Sequence, residues 1–337
     1  MKIKINNKVF YFFNNFAVNM TLDSVASTFA FVAKFNPENE SHKLLFKPLA
    51  YPKIEVFTDE DILLLTGTII NYDFNSNDTP ELVKLSGYSK GGILEDCNIP
   101  VESYPLESNN RSLKDICERL LSPFGLNLVI DSSVTNEANL IYEKSVAEPT
   151  ETVKNYISKL ASQRNILVSH NNKGDIVFSK LSSNKTPLIS LNVENTTNMT
   201  LSVKGQNLHS QISVIRQPST KNKNLSPVDT ISNKTVSLYR PKVKTLSSGT
   251  DTDTSRAADN ELSAELKNID FKVTIPRYEK LFPGDLVEVQ NKEIYLYKRT
   301  KFIIKSVAIN ENEKKTSMTL DLALPASFTS DKPQNIF

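Results

Sequence analysis

Catalysis or metal binding would show first in histidines, cysteines and clustered carboxylates. The chain of 337 residues has three histidines, His42, His170 and His209, none with a ligand partner at i+3 or i+4. Cys97 and Cys117 are too far apart for a CxxC pair, and their apolar surroundings read as small buried hydrophobes in a reducing compartment. The triplet Asp59-Glu60-Asp61 could be taken for a metal site, but carboxylates at a hairpin tip solubilise a turn without any ligand. Asp251-Thr252-Asp253 begins like a calcium loop, yet the glycine and distal glutamate that complete one are missing, which leaves a flexible polar loop. HExxH, G-x-S-x-G and Walker signatures are absent. Lys84, Lys90, Lys221, Lys223, Lys242 and Lys244 lie near apolar or aromatic neighbours without the density of a nucleic-acid stripe. The expectation is a protein with no catalytic, metal or cofactor residues.

The composition points the same way. A net charge of +2 argues against a dedicated duplex-DNA binder, and nine glycines give little material for phosphate cradles. With 39% hydrophobic and 23% charged residues the chain reads as globular. Its length implies two or three domains. The N-terminus MKIKINNKVFYFF has no cleavage site, and no run reaches the ~18 apolar residues of a bilayer span. A soluble protein made in the cytoplasm is expected, with no membrane insertion of its own.

The elements that would position any site fall into three regions. Up to Asn98 the chain alternates β-branched and aromatic runs with turns. Lys2–Asn6 and Lys8–Phe13 flank an Asn6-Asn7 hairpin signal, followed by Ser24–Phe35, Lys53–Phe57, Leu63–Asn71 and Leu82–Tyr88, the last after the turn 77–80. The period then changes. Ser112 is an N-cap with Asp115 three residues on, and Leu113, Ile116, Cys117, Leu120 and Leu121 form a helical stripe ended by Pro123 and Gly125. The pattern returns with Thr152 as cap and Val153, Tyr156, Ile157, Leu160 and Ala161 as stripe, each followed by a strand. Past Leu188 alternation resumes in ISLNVE, MTLSVKGQ and SQISVIRQ. Gln217–Asn233 reads as an exposed loop, Ser247–Ser255 as mobile and Arg256–Lys267 as a helix. Strands are then expected at Phe271–Ile275, Leu286–Gln290, Ile294–Tyr297, Phe302–Ile309 and Ser317–Leu324. The fold class is mainly β with an α+β module. The expected domains are a β-barrel-like domain at 1–98, a module of two helix–strand units and a hairpin at 99–186, and a second β-barrel-like domain at 187–337 carrying an insertion at 217–267.

Seven stretches follow one another along the chain: STFAF (Ser27–Phe31), ILLLTGTIINYDF (Ile62–Phe74), LVKLSGYSKGGILEDCN (Leu82–Asn98), SLKDICERLLSPFGLNLVI (Ser112–Ile130), SLYRPKVK (Ser237–Lys244), the RAADNE helix start and MTLDLALPASF (Met318–Phe328). In this order they resemble the baseplate hub proteins of contractile-tailed phages, the phage Mu hub family with its late-control D relatives. Gly87, Tyr88, Ser89, Asp96, Cys97, Tyr239, Arg240 and Pro241 carry the motifs and are expected at shared structural or assembly positions. Family members often have Arg where this chain has Tyr88. They also have a Gly-Trp stretch where Phe271–Gly284 stands, and this chain has no tryptophan.

The resemblance implies a homotrimer in which each chain gives two similar barrels, so that a ring of six adapts a six-fold tail tube to a three-fold spike. It implies a virion location, in the tail baseplate of a particle assembled in the bacterial host cytoplasm. The implied partners are further copies of the chain, the tail tube protein, the central spike protein and other baseplate proteins, with DNA only as passing cargo. Two other readings are a tail-associated cell-wall-degrading enzyme and a surface carbohydrate-binding β protein.

Overall fold

The computed structural model describes residues 1–11, 13–76, 81–216, 228–246, 254–312, 315–329 and 335–337. The turn 77–80, Lys221 and Lys223 with most of the expected loop, and the polar stretch 247–253 with Asp251-Thr252-Asp253 lie outside the described residues. The architecture is mainly β with an α+β module.

One strand holds the β regions together. Leu296–Asn312 runs 17 residues and buries Phe302, Ile303, Ile304, Val307 and Ile309. Its first half pairs with Leu286–Asn291. Its second half lies between Lys315–Ala323 and Phe13–Thr21, antiparallel to both. Both β regions therefore share one 13-stranded sheet. Its order runs from Asn198–Val203 through Ile269–Ile275, Lys315–Ala323 and the long strand to Phe13–Thr21. It continues through Thr28–Lys34, Leu82–Ser89, Leu63–Phe74, Lys53–Phe57, Lys2–Ile5 and Lys8–Phe10. Their inward residues form a single apolar core that includes Phe16, Phe29, Phe31, Phe271 and Phe302.

Three local expectations are corrected. The run Lys8–Phe13 ends as a strand at Phe10, and Phe13–Thr21 is a separate strand that turn-forming asparagines had masked. Its register shifts between Asn14 and Ala17, and Asn15 takes φ 51, so Phe13 falls out of phase with Phe16, Val18 and Met20. The expected strands Ile294–Tyr297 and Phe302–Ile309 become one element from Leu296 onward, because Leu296, Thr300 and Lys301 all pair with Leu286–Asn291 across a register shift that takes up the exposed residues between them. Val228–Ser232, expected within a loop, is an edge strand on Gln211–Arg216, whose other neighbour is Pro241–Leu246. This small three-stranded sheet and the helix Thr254–Leu266 that packs on it are inserted between Asn198–Val203 and Ile269–Ile275.

The α+β module has its own core. Ser112 accepts the Asp115 N–H and the Asp115 carboxylate accepts the Ser112 N–H, a capping box that starts the helix Leu113–Leu121. Thr152 caps Val153–Gln163 by accepting from Asn155 N–H. Both apolar stripes are buried at every position named above. Each helix is followed by a left-handed residue, Gly125 (φ 62) or Asn165 (φ 55). The next N–H, of Leu126 or Ile166, then returns to the carbonyl of Leu121 or Ala161. The strands that follow, Leu128–Ile130 and Leu167–His170, flank Ile176–Ser179 in one sheet.

Candidate functional site

Tyr88 and its neighbours form the joint between the first β region and the module. Gly87 lies in the strand Leu82–Ser89, opposite both Phe29 and Ile69. A Cβ there would sit 2.0 Å from the Thr68 carbonyl oxygen and 2.8 Å from the Phe29 ring, so only glycine lets three strands close at this point. The Tyr88 ring lies flat on Gly92, where an added Cβ would be 2.3 Å from it. The Tyr88 hydroxyl donates to Asp96 Oδ2 at 2.8 Å. Burial first, and that bond second, hold its pKa well above the usual phenol range. Cys97 closes the same turn through its backbone, with its N–H bonded to the Ile93 carbonyl and its own carbonyl accepting from Val153 N–H. That second bond ties the GYS–EDC segment to the start of the module's second helix.

Ser89 extends the joint through a chain of polar contacts. Its N–H donates to the Ser27 carbonyl at 2.8 Å, and its hydroxyl accepts the Ser27 N–H at 3.0 Å. Ser27 Oγ in turn meets His170 Nε2 at 2.7 Å, and His170 Nδ1 meets the Ser24 carbonyl at 2.7 Å. A carbonyl can only accept, so Nδ1 carries the proton and Nε2 accepts from the Ser27 hydroxyl. Burial depresses the His170 pKa and keeps the ring neutral, against the pull of the Ser24 carbonyl and Glu95. Asn172 adds a bond from Nδ2 to the Leu63 carbonyl at 2.8 Å. Sequence reasoning passed over His170 because its partners lie far away along the chain, where no spacing rule reaches them.

The second motif is placed elsewhere, in the inserted sheet, and no described contact joins it to the first. Arg240 fastens the preceding segment: its N–H donates to Ser210 Oγ at 2.8 Å, Nε to the Leu208 carbonyl and Nη2 to the Gln206 carbonyl, both at 3.0 Å. Pro241 begins an edge strand, where its missing N–H costs no ladder bond. Tyr239 is 75% exposed.

The remaining reactive side chains are engaged structurally. His209 Nδ1 lies 2.7 Å from Glu265 Oε1, and Lys242 bridges Glu265 and Glu261 at 3.0 and 2.7 Å. Lys244 also bonds Glu261. Burial alone would raise the Glu261 pKa, but the two lysines outweigh it and leave the carboxyl below its usual range. Asp59 and Asp61 of the acidic triplet bind the N-terminal amine and Lys2 at 2.8 and 2.9 Å. Cys117 is buried and its thiol is pushed far up by desolvation. Among the described residues no group of His, Cys, Asp and Glu is arranged to hold a metal, and no helix is long and apolar enough to cross a membrane.

Residues 91–180 match the family described as baseplate hub protein gp44-like, second domain. No curated protein sequence matches the chain. Its fold is shared with the 43 kDa tail protein of prophage MuSo2 from Shewanella oneidensis (TM-score 0.81, 16% identity, covering 97% of this chain and 98% of that one). It is shared as well with a tail protein from Neisseria meningitidis MC58 (TM-score 0.78, 18% identity, 98% of each chain). A more distant likeness is to the E. coli c3393 protein, a component of the type VI secretion system described as similar to T4 tail proteins gp27 and gp5 (TM-score 0.59, 11% identity, 100% of this chain and 80% of that one). Residues 91–180 are thus similar to the second domain of a baseplate hub protein, and over nearly its full length the chain shares the fold of these two tail proteins.

Proposed function

We propose that the chain is the hub of a contractile phage tail or a related injection particle. A structural role in a tail or baseplate is what its family domain and shared fold support. The finer reading is a ring of three copies that adapts a six-fold tube to a three-fold spike, bound to both and to other baseplate proteins, with DNA passing through. The observation that carries it is the run of residues 91–180 that matches a hub domain, set between two β regions joined in one sheet. The chemistry of the joint fits such a part. Tyr88, Asp96, Ser89, Ser27 and His170 spend their polar groups on each other and on backbone, which stiffens the contact between regions and leaves no nucleophile poised for a substrate. We assign Gly87, Tyr88, Ser89, Asp96, Cys97, Arg240 and Pro241 a structural role and leave Tyr239 free to face a partner. The net charge of +2 suits a lumen that does not retain DNA by its phosphates.

The test is the native mass of the purified chain by light scattering, with negative-stain images. A mass of three chains and ring-shaped particles are the expected result. A single-chain mass at every concentration, unchanged when the cognate spike is added, would overturn the trimeric ring.

A further inference from the structure

The inserted sheet leaves the main sheet at one corner, and an apolar groove opens there. Val203 and Ile269 form the last rung of their strand pair, where the chain departs into the insertion and returns from it. Leu324 follows the strand Lys315–Ala323 at the same corner, and Leu208, Val236 and Leu238 come from the insertion's own connections. Leu208, Ile269 and Leu324 give the groove a buried floor. Val203, 43% exposed, and Leu238, 66% exposed, stand at its rim.

Residues 335–337 lie along this groove. Ile336 packs on the main apolar core, and the Phe337 ring meets Tyr295 at 6.2 Å between centroids, with Tyr297 edge-on to Tyr295 at 5.2 Å. Among the described residues their one hydrogen bond is internal, from Phe337 N–H to Asn335 Oδ1 at 2.9 Å. Apolar contact is therefore what holds them. A segment built into a fold normally spends its backbone N–H and C=O groups on its neighbours, and this one makes no such bond to the groove. The fit is incomplete as well. A cavity of about 400 Å³ stays open beside residues 335–337, the size of a small ligand site, and Phe337 is half-exposed.

We propose that this groove is a docking site for an extended segment of a partner protein that carries two adjacent large apolar side chains, one of them aromatic, and that residues 335–337 fill it in the free chain. The Ile336-Phe337 pair shows the chemistry that the groove accepts, an aliphatic side chain on the core and a ring against Tyr295. A partner segment that also fills the open space buries more apolar surface, worth about 25 cal/mol per Å², and so takes the place of the chain's own residues. Until then they keep a contiguous apolar patch out of water. Five residues connect Thr329 to Asn335, a tether of at most about 22 Å, so the chain's own segment competes at a millimolar effective concentration. The inference goes beyond the hub reading and does not rest on it.

The test is a titration by fluorescence anisotropy with a labelled, amidated peptide of sequence PQNIF, that of residues 333–337. In the variant I336D/F337D the chain's own segment no longer competes, and the peptide is expected to bind about tenfold tighter or more than to the wild type. Adding Leu238→Asp at the exposed rim should remove that binding, and a PQNDD peptide should show none. Urea denaturation should find the opened variant folded, with a midpoint close to that of the wild type. Phe337→Asp alone, at a half-exposed ring, gives a second opened variant should the double one not fold. No binding to an opened variant, equal binding to opened and wild-type chains, or binding that survives Leu238→Asp overturns the proposal. A large fall in the urea midpoint with Phe337→Asp also overturns it, since residues 335–337 would then be a fixed part of the core. The native mass by light scattering reads the hub proposal independently, so either can fail alone.

Discussion

The two β regions follow one backbone plan and fill it with opposite side chains. Leu63–Phe74 slips register against Leu82–Ser89 at Ile70, and Leu296–Asn312 slips against Lys315–Ala323 at Lys305; counted from these bulges, Gly87-Tyr88 of the first region stands where the second has Leu322-Ala323. Phe29 stands opposite Gly87, and Phe271 opposite Leu322, so a similar ring meets no side chain in one region and a leucine in the other. The first region takes the volume back at the next residue, where Tyr88 covers Gly92 and reaches Asp96. The second leaves a buried alanine there and packs Phe271 edge-on against Phe302, ring centroids 4.8 Å apart. Their connections differ too. Thr21 and Thr28 are joined by a short link carrying the Ser24 and Ser27 contacts to the module, while the equivalent link in the second region is the whole inserted sheet and helix. A strand plan can thus be duplicated with little trace in the residues, because total volume at each layer is held and its distribution is not.

Exchanging the residues at the shared position should break that comparison hardest. Gly87→Leu copies the second region into the first and drives its Cβ to within 2.0 Å of the Thr68 carbonyl, a backbone atom that cannot rotate away. The expected loss exceeds about 4 kcal/mol, in the range of the most damaging single substitutions, with little folded protein recovered. The reciprocal truncation is milder. Leu322→Ala leaves a cavity in a region with no such approach, at a cost of about 2–5 kcal/mol, and urea denaturation should find it folded. Equal losses for the two variants would mean that Gly87 is not held by the strand approach.

Where the sequence was legible, the signal was local. The caps at Ser112 and Thr152, both buried stripes and the breaks after each helix follow from spacing alone, since a helix closes its bonds within four residues. The Phe13–Thr21 strand was hidden because its partners lie at opposite ends of the chain, and the asparagines at its bulge carry a turn signature. The union of both β regions in one sheet was hidden for the same reason, as nothing in Ser306–Glu311 states which strand lies beside it. The GYS, EDC and YRP stretches stood out as motifs, but their division of labour did not. Tyr88 and Arg240 bind inward and Tyr239 outward, and that is set by which face of the strand or turn each occupies.

A smaller effect separates the regions by pH, since among the described residues the first is fastened to the module through the half-buried His170. Burial lowers the His170 pKa in the folded chain from 6.5, so the unfolded chain binds the proton more readily. The stabilisation is fully present above about 6.5 and is lost as the pH falls through the lowered folded value. Protonated His170 could no longer accept the Ser27 hydroxyl. His170→Ala should cost about 1–3 kcal/mol at neutral pH through the two lost bonds and should flatten the decline in melting temperature between neutral and mildly acidic pH. An unchanged acid slope in that variant would place the titrating group elsewhere.

The smallest effects fall within a single motif of the inserted sheet. Arg240 donates three hydrogen bonds to the 206–210 segment, two of them through a charged guanidinium to backbone carbonyls, and its own carbonyl accepts a fourth from Ser210 N–H. Arg240→Ala removes the side-chain pair and leaves both backbone bonds to Ser210, so the expected loss is about 1–2 kcal/mol, discounted because the group is partly in water. Arg240→Lys should recover little of it, since an ammonium cannot span both carbonyls as the planar fork does. Tyr239→Ala, one residue away and 75% exposed, should stay within about 0.5 kcal/mol of wild type in the isolated chain. If Tyr239 faces a partner, the order reverses in an assembly assay: Tyr239→Ala then weakens incorporation into baseplates while Arg240→Ala, once folded, does so less. A loss of stability for Tyr239→Ala as large as for Arg240→Ala would show that both residues serve the fold, and the surface around Tyr239 would lose its claim on a partner.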